Sequence, residues 1–208
     1  LYVQCEGYSP KRPTLSTALV GHSLKQFMKD LVVESKPIAI ICPVNFSHRS
    51  LGLYKYEAII QSLSCRYNIL VNLSQASSDY IEFFSEVSNR YTELKIVMLN
   101  EVELIYASSC CSLAIGVHGG AMDVISNLSD CDQVLIFGTE LINKEIALFM
   151  QNRVSNSLPS LEECPLTLGL SDNFWTHTIN DVTRKRVWGP MESDLTISRI
   201  NDILRQYN

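Results

Sequence analysis

Five short stretches of the chain are apolar almost without interruption: Ile38–Cys42, Asn68–Asn72, Lys95–Leu99, Leu113–Val117 and Gln133–Gly138. Each is rich in Ile, Val and Leu and shows no alternation with polar residues. That is the pattern of strands buried on both faces of a parallel sheet. Between them the period lengthens. Leu51–Ser64 carries Leu53, Tyr56, Ile60 and Leu63 as a helical stripe. Asp79-Tyr80-Ile81-Glu82 has the spacing of a capping box, with Phe83, Phe84 and Val87 continuing an apolar face. Asn100 stands three residues before Glu103, ahead of a short helix through Leu104-Ile105-Tyr106-Ala107. Ala121–Leu128 follows the fourth run as a further helix. Strand and helix alternating in this way predict an α/β fold with right-handed crossovers: a doubly wound, mainly parallel sheet of about five strands with flanking helices.

The flanks follow other rules. Leu15–Val33 has a helical pattern interrupted at Gly21, and Asp194–Tyr207 sets Leu195, Ile197, Ile200, Ile203 and Leu204 at helical spacing. Leu141–Met150 reads as a helix and Ser155–Asn173, with Pro159 and Pro165, as loop. The expected organisation is one domain over 1–208. Its core is 37–140, preceded by a helical extension (1–36) and followed by C-terminal helices and loops (141–208).

Composition removes several function classes. The net charge of −5 argues against a nucleic-acid partner, which needs a basic face; the one dense basic run, Arg184-Lys185-Arg186, reads as a solvated surface. No apolar run approaches the ~18–20 residues that cross a bilayer, and the first residues do not resemble a secretory signal. The seven cysteines form no CxxC or CxxH pair, so no zinc site is expected, and several sit in apolar runs as buried free thiols of a reducing compartment. A cytoplasmic chain, or one lying peripherally at the inner face of a membrane, is the corresponding expectation. A start at Leu1 rather than Met is compatible with processing or with a longer parent.

Candidate chemistry lies at the carboxyl ends of the apolar runs, where doubly wound sheets bind ligands. After the fourth run, His118-Gly119-Gly120 leads directly into Ala121-Met122-Asp123. Glycines there admit a ligand close to the backbone and tolerate a left-handed φ, and the first turn of the helix offers unpaired N–H groups to an anion. A tight structural turn, with His118 held by a backbone carbonyl, is the competing reading. Asp123 either favours the helix dipole or accepts sugar hydroxyls. After the first run, Asn45, Ser47 and Arg49 either donate to phosphate and sugar oxygens or shape a solvated turn. Gly138 and Thr139 follow the fifth run beside the same expected crevice.

Several motifs are missing. No G-x-G-x-x-G follows the first run and no acid ends the second, where Asn72 stands, so NAD is disfavoured. There is no Walker phosphate loop and no G-x-S-x-G elbow. Cys110-Cys111 precedes a buried run, which favours inert thiols over a nucleophile. Trp175, His177 and Trp188 in the tail read as packing residues, with acceptor stacking as the alternative.

Glu103-Leu-Ile-Tyr-Ala-Ser108, Leu113-Ala-Ile-Gly-Val117, His118-Gly-Gly-Ala-Met122 and Leu135-Ile-Phe-Gly-Thr139 follow one another as parts of a recognisable pattern. Pro37-Ile-Ala-Ile-Ile-Cys-Pro43 has the look of its first strand. Together they resemble the C-terminal, nucleotide-sugar-binding, Rossmann-like half of GT-B glycosyltransferases, in particular the heptosyltransferase-like group that builds bacterial lipopolysaccharide. That group usually has an Asp-Ser-Gly type turn where this chain has His118-Gly119-Gly120, which widens the implied donor from ADP-heptose to nucleotide sugars in general.

The resemblance implies metal-independent hexosyl or heptosyl transfer to a glycan, lipid or protein acceptor, with no cofactor beyond the donor. Backbone N–H groups at Gly120–Met122 would meet the departing diphosphate, and Arg49 or a neighbour would neutralise more of its charge. No catalytic base is assigned, because in such enzymes base and acceptor site come largely from a second domain, here one missing or on a partner chain. A non-catalytic binding module of the same half-fold and a nucleotide-sugar epimerase are the rival expectations.

Overall fold

The computed structural model describes residues 19–33, 36–43, 51–117, 120–129, 131–137, 173–179, 182–191 and 196–207. The strands are β1 (Ile38–Cys42), β2 (Asn68–Asn72), β3 (Leu94–Val97), β4 (Leu113–Val117), β5 (Asp132–Phe137), β6 (Asn173–Ile179) and β7 (Val182–Met191). The helices are α1 (His22–Val33), α2 (Leu53–Ser64), α3 (Ser78–Ser88), α4 (Glu101–Ser109), α5 (Gly120–Leu128) and α6 (Ile197–Leu204), with a 3₁₀ turn at Arg205–Tyr207.

These strands form one sheet in the order β3-β2-β1-β4-β5-β7-β6. β1 to β5 are mutually parallel, as the continuous apolar runs predict. β7 extends the sheet in parallel to β5, and β6 pairs antiparallel with β7. The two extra strands depart from the expected helices and loops after residue 141. The basic run Arg184-Lys185-Arg186 lies within β7, and Trp175 and His177 lie on β6.

Alternate residues of β1 separate two cores. Ala39 and Ile41 join one core with Tyr56, Ile59, Ile60 and Leu63 of α2, Phe84 and Val87 of α3, and Ile200, Ile203 and Leu204 of α6. Ile38, Ile40 and Cys42 join the other with Met28 and Leu31 of α1, Leu104 and Ala107 of α4, and Met122 and Ile125 of α5. All five residues of β1 are buried, which explains why no polar residue interrupts the run. The chain end is tied in by Tyr207: Tyr67 Oη donates to its carbonyl oxygen (2.9 Å), and its own hydroxyl donates to the carbonyl oxygen of Gln133 (3.0 Å).

The local signals mostly act where expected. The Asn100 side chain accepts from the Glu103 N–H and the Glu103 carboxylate accepts from the Asn100 N–H, both at 3.0 Å, a complete capping box. The box expected at Asp79–Glu82 is not formed. Ser77 occupies the N-cap with extended backbone, and Asp79 falls in the first turn, where its charge favours the helix dipole. Helix α1 starts after Gly21, whose carbonyl accepts from the Lys25 N–H. The proposed helix at 141–150 and the loop at 155–172 lie outside the described residues.

Candidate functional site

Strand order reverses at β1: the chain runs outward through β2 and β3, then returns to place β4 on the other side. A doubly wound sheet opens its ligand crevice at that reversal, outside the carboxyl ends of the two strands. Here those ends are Cys42-Pro43 and Gly116-Val117, brought side by side by the Cys42↔Gly116 pairing. β5 ends beside them through the Val117↔Ile136 pairing.

Gly116 sets how closely the next helix approaches. A Cβ at this position would stand 2.7 Å from the Cys42 carbonyl oxygen and 2.8 Å from both Cγ and Sδ of Met122. Met122 fills the space that the missing side chain leaves, and it is fully buried. Its side chain is therefore an anchor of α5, and any part Met122 plays toward a ligand falls to its backbone. Ile125 is likewise fully buried and fixes the next turn. With these two anchors in the core, the helix presents Gly120 as an exposed first residue, and a Cβ there would meet nothing within 4 Å. Gly120 has no left-handed φ, so conformational freedom is not why glycine stands at this position. Ala121 is half-buried. Asp123 belongs to the first turn of α5, while its side chain, like His118 and Gly119, lies outside the described residues.

Asn45, Ser47 and Arg49 fall in segment 44–50, also outside the described residues. The chain on either side of that segment is held by two tyrosines. Tyr56 of α2 donates from its hydroxyl to the Pro43 carbonyl oxygen (3.0 Å), and Tyr80 of α3 donates to that of Leu51 at a longer 3.4 Å. Their rings pack edge to face, 6.3 Å apart, and both lie against Phe84. These two phenols were not anticipated as positioning groups. Tyr56 belongs to an apolar helical stripe, and nothing in its spacing reveals the partner of its hydroxyl. Gly138 and Thr139, following β5, lie outside the described residues too. The strand ends that carry all three candidate groups are thus brought together, and Gly120–Met122 is the group whose backbone placement is described.

At the end of β2, the Asn72 side-chain oxygen accepts from the N–H groups of Ser74 (3.2 Å) and Leu99 (3.1 Å), joining the segments after β2 and β3. The position where dinucleotide-binding folds carry an acid is occupied here by a buried structural amide.

The cysteines divide by environment. Cys42, Cys111 and Cys131 are buried free thiols, Cys110 is partly buried and Cys65 is exposed. Burial, reinforced by the nearby Cys131, pushes the Cys42 thiol up to about 12. Cys111 is also raised well above the ordinary thiol range by burial, with lesser contributions from Cys131, Cys110 and Cys42, and its Sγ donates to the Ala107 carbonyl oxygen. Neither has the character of a nucleophile. Among the cysteines of the described residues, an alkylating reagent is expected to modify Cys65 first and to reach Cys42 and Cys111 only with unfolding. Because the folded Cys42 thiol lies above its ordinary value of 9.0, its contribution to stability is complete below that pH and is lost as pH rises toward 12. Mass-spectrometric mapping against denaturation curves checks both; rapid modification of Cys42 in the native state contradicts the assignment.

Among the described residues no three His, Cys, Asp or Glu side chains are grouped to hold a metal ion. The sequence contains an Asp-x-Asp triplet, Asp130-Cys131-Asp132. Asp132 opens β5, at the end of the sheet opposite the carboxyl ends of β1 and β4. No helix among the described residues is long and apolar enough to cross a membrane.

A doubly wound sheet with its reversal at β1/β4 and a close-packed helix after β4 defines a Rossmann-like α/β half-domain. Comparison with known proteins narrows this to a GT-B-like fold. The structure is similar to E. coli heptosyltransferase WaaC solved with ADP-2-deoxy-2-fluoro heptose, with a TM-score of 0.53 and 8% sequence identity, covering 90% of this chain and 48% of that one. It is similar in the same measure to the WaaC structure with ADP (TM-score 0.53, 8% identity, 86% and 46% coverage). The chain therefore spans about half the length of the proteins it resembles. No protein-family model matches the sequence, and no curated protein matches it significantly.

Proposed function

We propose that this chain is the donor-binding half of a nucleotide-sugar-dependent glycosyltransferase, with the diphosphate seated at the N-terminus of α5. The observation that carries the reading is the open approach to Gly120 at the β1/β4 reversal. Met122 and Ile125 fix the helix while its first residue is exposed. The first-turn N–H groups and the positive end of the helix dipole suit a diphosphate. They are also placed to stabilise the charge that grows on the diphosphate as the glycosidic bond to the sugar breaks. Arg49, in the segment stemmed by Tyr56 and Tyr80, would add a charged fork to the same oxygens.

The GT-B-like fold shared with WaaC, whose solved complexes hold ADP and an ADP-heptose analogue, supports a nucleotide-sugar donor. The His118-Gly119-Gly120 turn favours a donor class wider than ADP-heptose. The acceptor (a glycan, lipid or protein) and the catalytic base belong to a second domain or partner chain in this proposal.

A thermal-shift panel of UDP-, GDP-, ADP- and CMP-sugars tests it. One member at 100 times its dissociation constant is expected to add ~2.7 kcal/mol, raising the melting temperature by about 5–10 °C, while NAD raises it little. EDTA is expected to leave the shift intact. Stabilisation by NAD alone contradicts the proposal and revives an oxidoreductase. Loss of the shift in EDTA, restored by manganese or magnesium, overturns the metal-independent form. Saturable binding without transfer to any acceptor, even with the second domain supplied, identifies the non-catalytic module.

A further inference from the structure

A polar cavity lies between the last turns of α2 and α6, away from the β1/β4 strand ends. It has a volume of about 350 Å³ and is lined by Ser62, Arg66, Asn201 and Arg205. Because α2 runs back from the β1 end of the crevice to the start of β2, these residues lie toward the amino-terminal edge of the sheet, opposite the crevice.

The lining is unbalanced in its hydrogen-bonding capacity. Arg66 donates from Nη2 to the Ser62 carbonyl oxygen (3.2 Å) and rests on the Tyr67 ring, 5.8 Å from its centroid. Its Nη1 is buried with no hydrogen-bond partner, and no other buried side-chain nitrogen or oxygen among the described residues is left so. Leaving a charged donor unpaired is costly, and such a donor takes a water, an ion or a ligand group as its partner. The acceptors nearby are already engaged. Ser62 Oγ donates to Asn201 Oδ1, so the Asn201 amide has donors left to offer. The Leu63 carbonyl oxygen accepts from the N–H groups of Arg66 and Tyr67, and those of Asn201 and Ile203 accept from the Arg205 N–H. Asp202 pairs with Arg205 Nη1 at 3.1 Å on the exposed surface and leaves the other donors of that guanidinium available, and Asp132 acts on the neighbouring Tyr67.

We propose that this cavity is a binding site for an oxyanion, a phosphate or carboxylate group on a small metabolite. The Arg66 guanidinium would be its inner contact, Arg205 its entrance and Asn201 a neutral donor between them. A guanidinium fork held against Tyr67 is preorganised for two oxygens of one group, as a flexible lysine would not be. The volume is at the small end of ligand pockets, enough for the anionic group and a compact body. The site uses no residue of the crevice and stands independently of the glycosyltransferase reading.

Calorimetric titration with inorganic phosphate and with acetate, at constant ionic strength, tests the inference on wild type, Arg66→Gln, Arg205→Gln and Gly120→Val. Wild type is expected to bind one of the probes saturably at this cavity and Arg66→Gln tenfold or more weakly, while in Gly120→Val, which loses the anion contact of the crevice, the cavity binding is expected to persist. Arg205, 72% exposed in its side chain, can be replaced without disturbing the core, so Arg205→Gln keeps the test open if Arg66→Gln does not fold. Preference for phosphate or for acetate identifies which source of the oxyanion the site takes. Saturable binding unchanged in both arginine variants overturns the proposal, as does absence of saturable binding of either probe to the wild type. Weakening in Gly120→Val alone assigns the anion to the crevice and overturns the proposal equally.

Discussion

Gly116→Ala is expected to destabilise the protein by about 3 kcal/mol, the upper end of the usual penalty for overpacking a core. The added methyl would stand 2.7 Å from the Cys42 carbonyl oxygen, and a backbone atom inside a parallel ladder cannot move aside cheaply. Met122 on its other side is flexible, but it is fully buried and has no solvent to retreat into. The remaining relief is for α5 to lift from the end of β4, which exposes Met122 and Ile125. For a domain of this size ~3 kcal/mol corresponds to roughly 6–12 °C in melting temperature. Chemical denaturation of Gly116→Ala beside Gly120→Ala measures the difference. Equal stabilities would show that the close contact between strand and helix is unimportant.

Gly120→Val is expected to behave in the opposite way. With open space around the position and no left-handed backbone to strain, the variant should fold with a stability near wild type. Its effect should fall on the ligand. A branched side chain at the first residue of α5 projects into the approach of a diphosphate, and nucleotide-sugar affinity should drop tenfold or more, about 1.4 kcal/mol. Circular dichroism and calorimetric titration on one preparation separate the two effects. A folded Gly120→Val protein that binds the donor as tightly as wild type removes this turn from the site.

The parallel core was legible because burial on both faces leaves its mark on every residue of a strand. Ile38–Cys42, Asn68–Asn72 and Leu113–Val117 form strands over the expected residues. The third strand differs instructively. Lys95–Leu99 was expected, whereas Leu94–Val97 forms it: Leu94 pairs with Ile69, Met98 is 56% exposed, and the Leu99 N–H is taken by the Asn72 side chain instead of the ladder. An apolar run cannot reveal that its last residue bonds to a distant amide. β6 and β7 escaped because Asn173–Met191 mixes aromatic, β-branched and basic residues with no continuous apolar run, even though β7 pairs in parallel with β5 on one side and antiparallel with β6 on the other. Of the crevice, the strand end and helix start around Gly120 were legible from glycine placement. The roles of Gly116, Tyr56 and Tyr80 were not, since each depends on a neighbour supplied by the fold.

A donor diphosphate seated on the first turn of α5 would act first on the amides of that turn. Backbone amide chemical shifts of isotopically labelled protein, followed while the stabilising nucleoside diphosphate is added to saturation, test it directly. The largest perturbations are expected at Gly120, Ala121 and Met122, with smaller ones at the ends of β1 and β5. Saturation that leaves those three amides unmoved, with the perturbations gathered elsewhere in the chain, would contradict it.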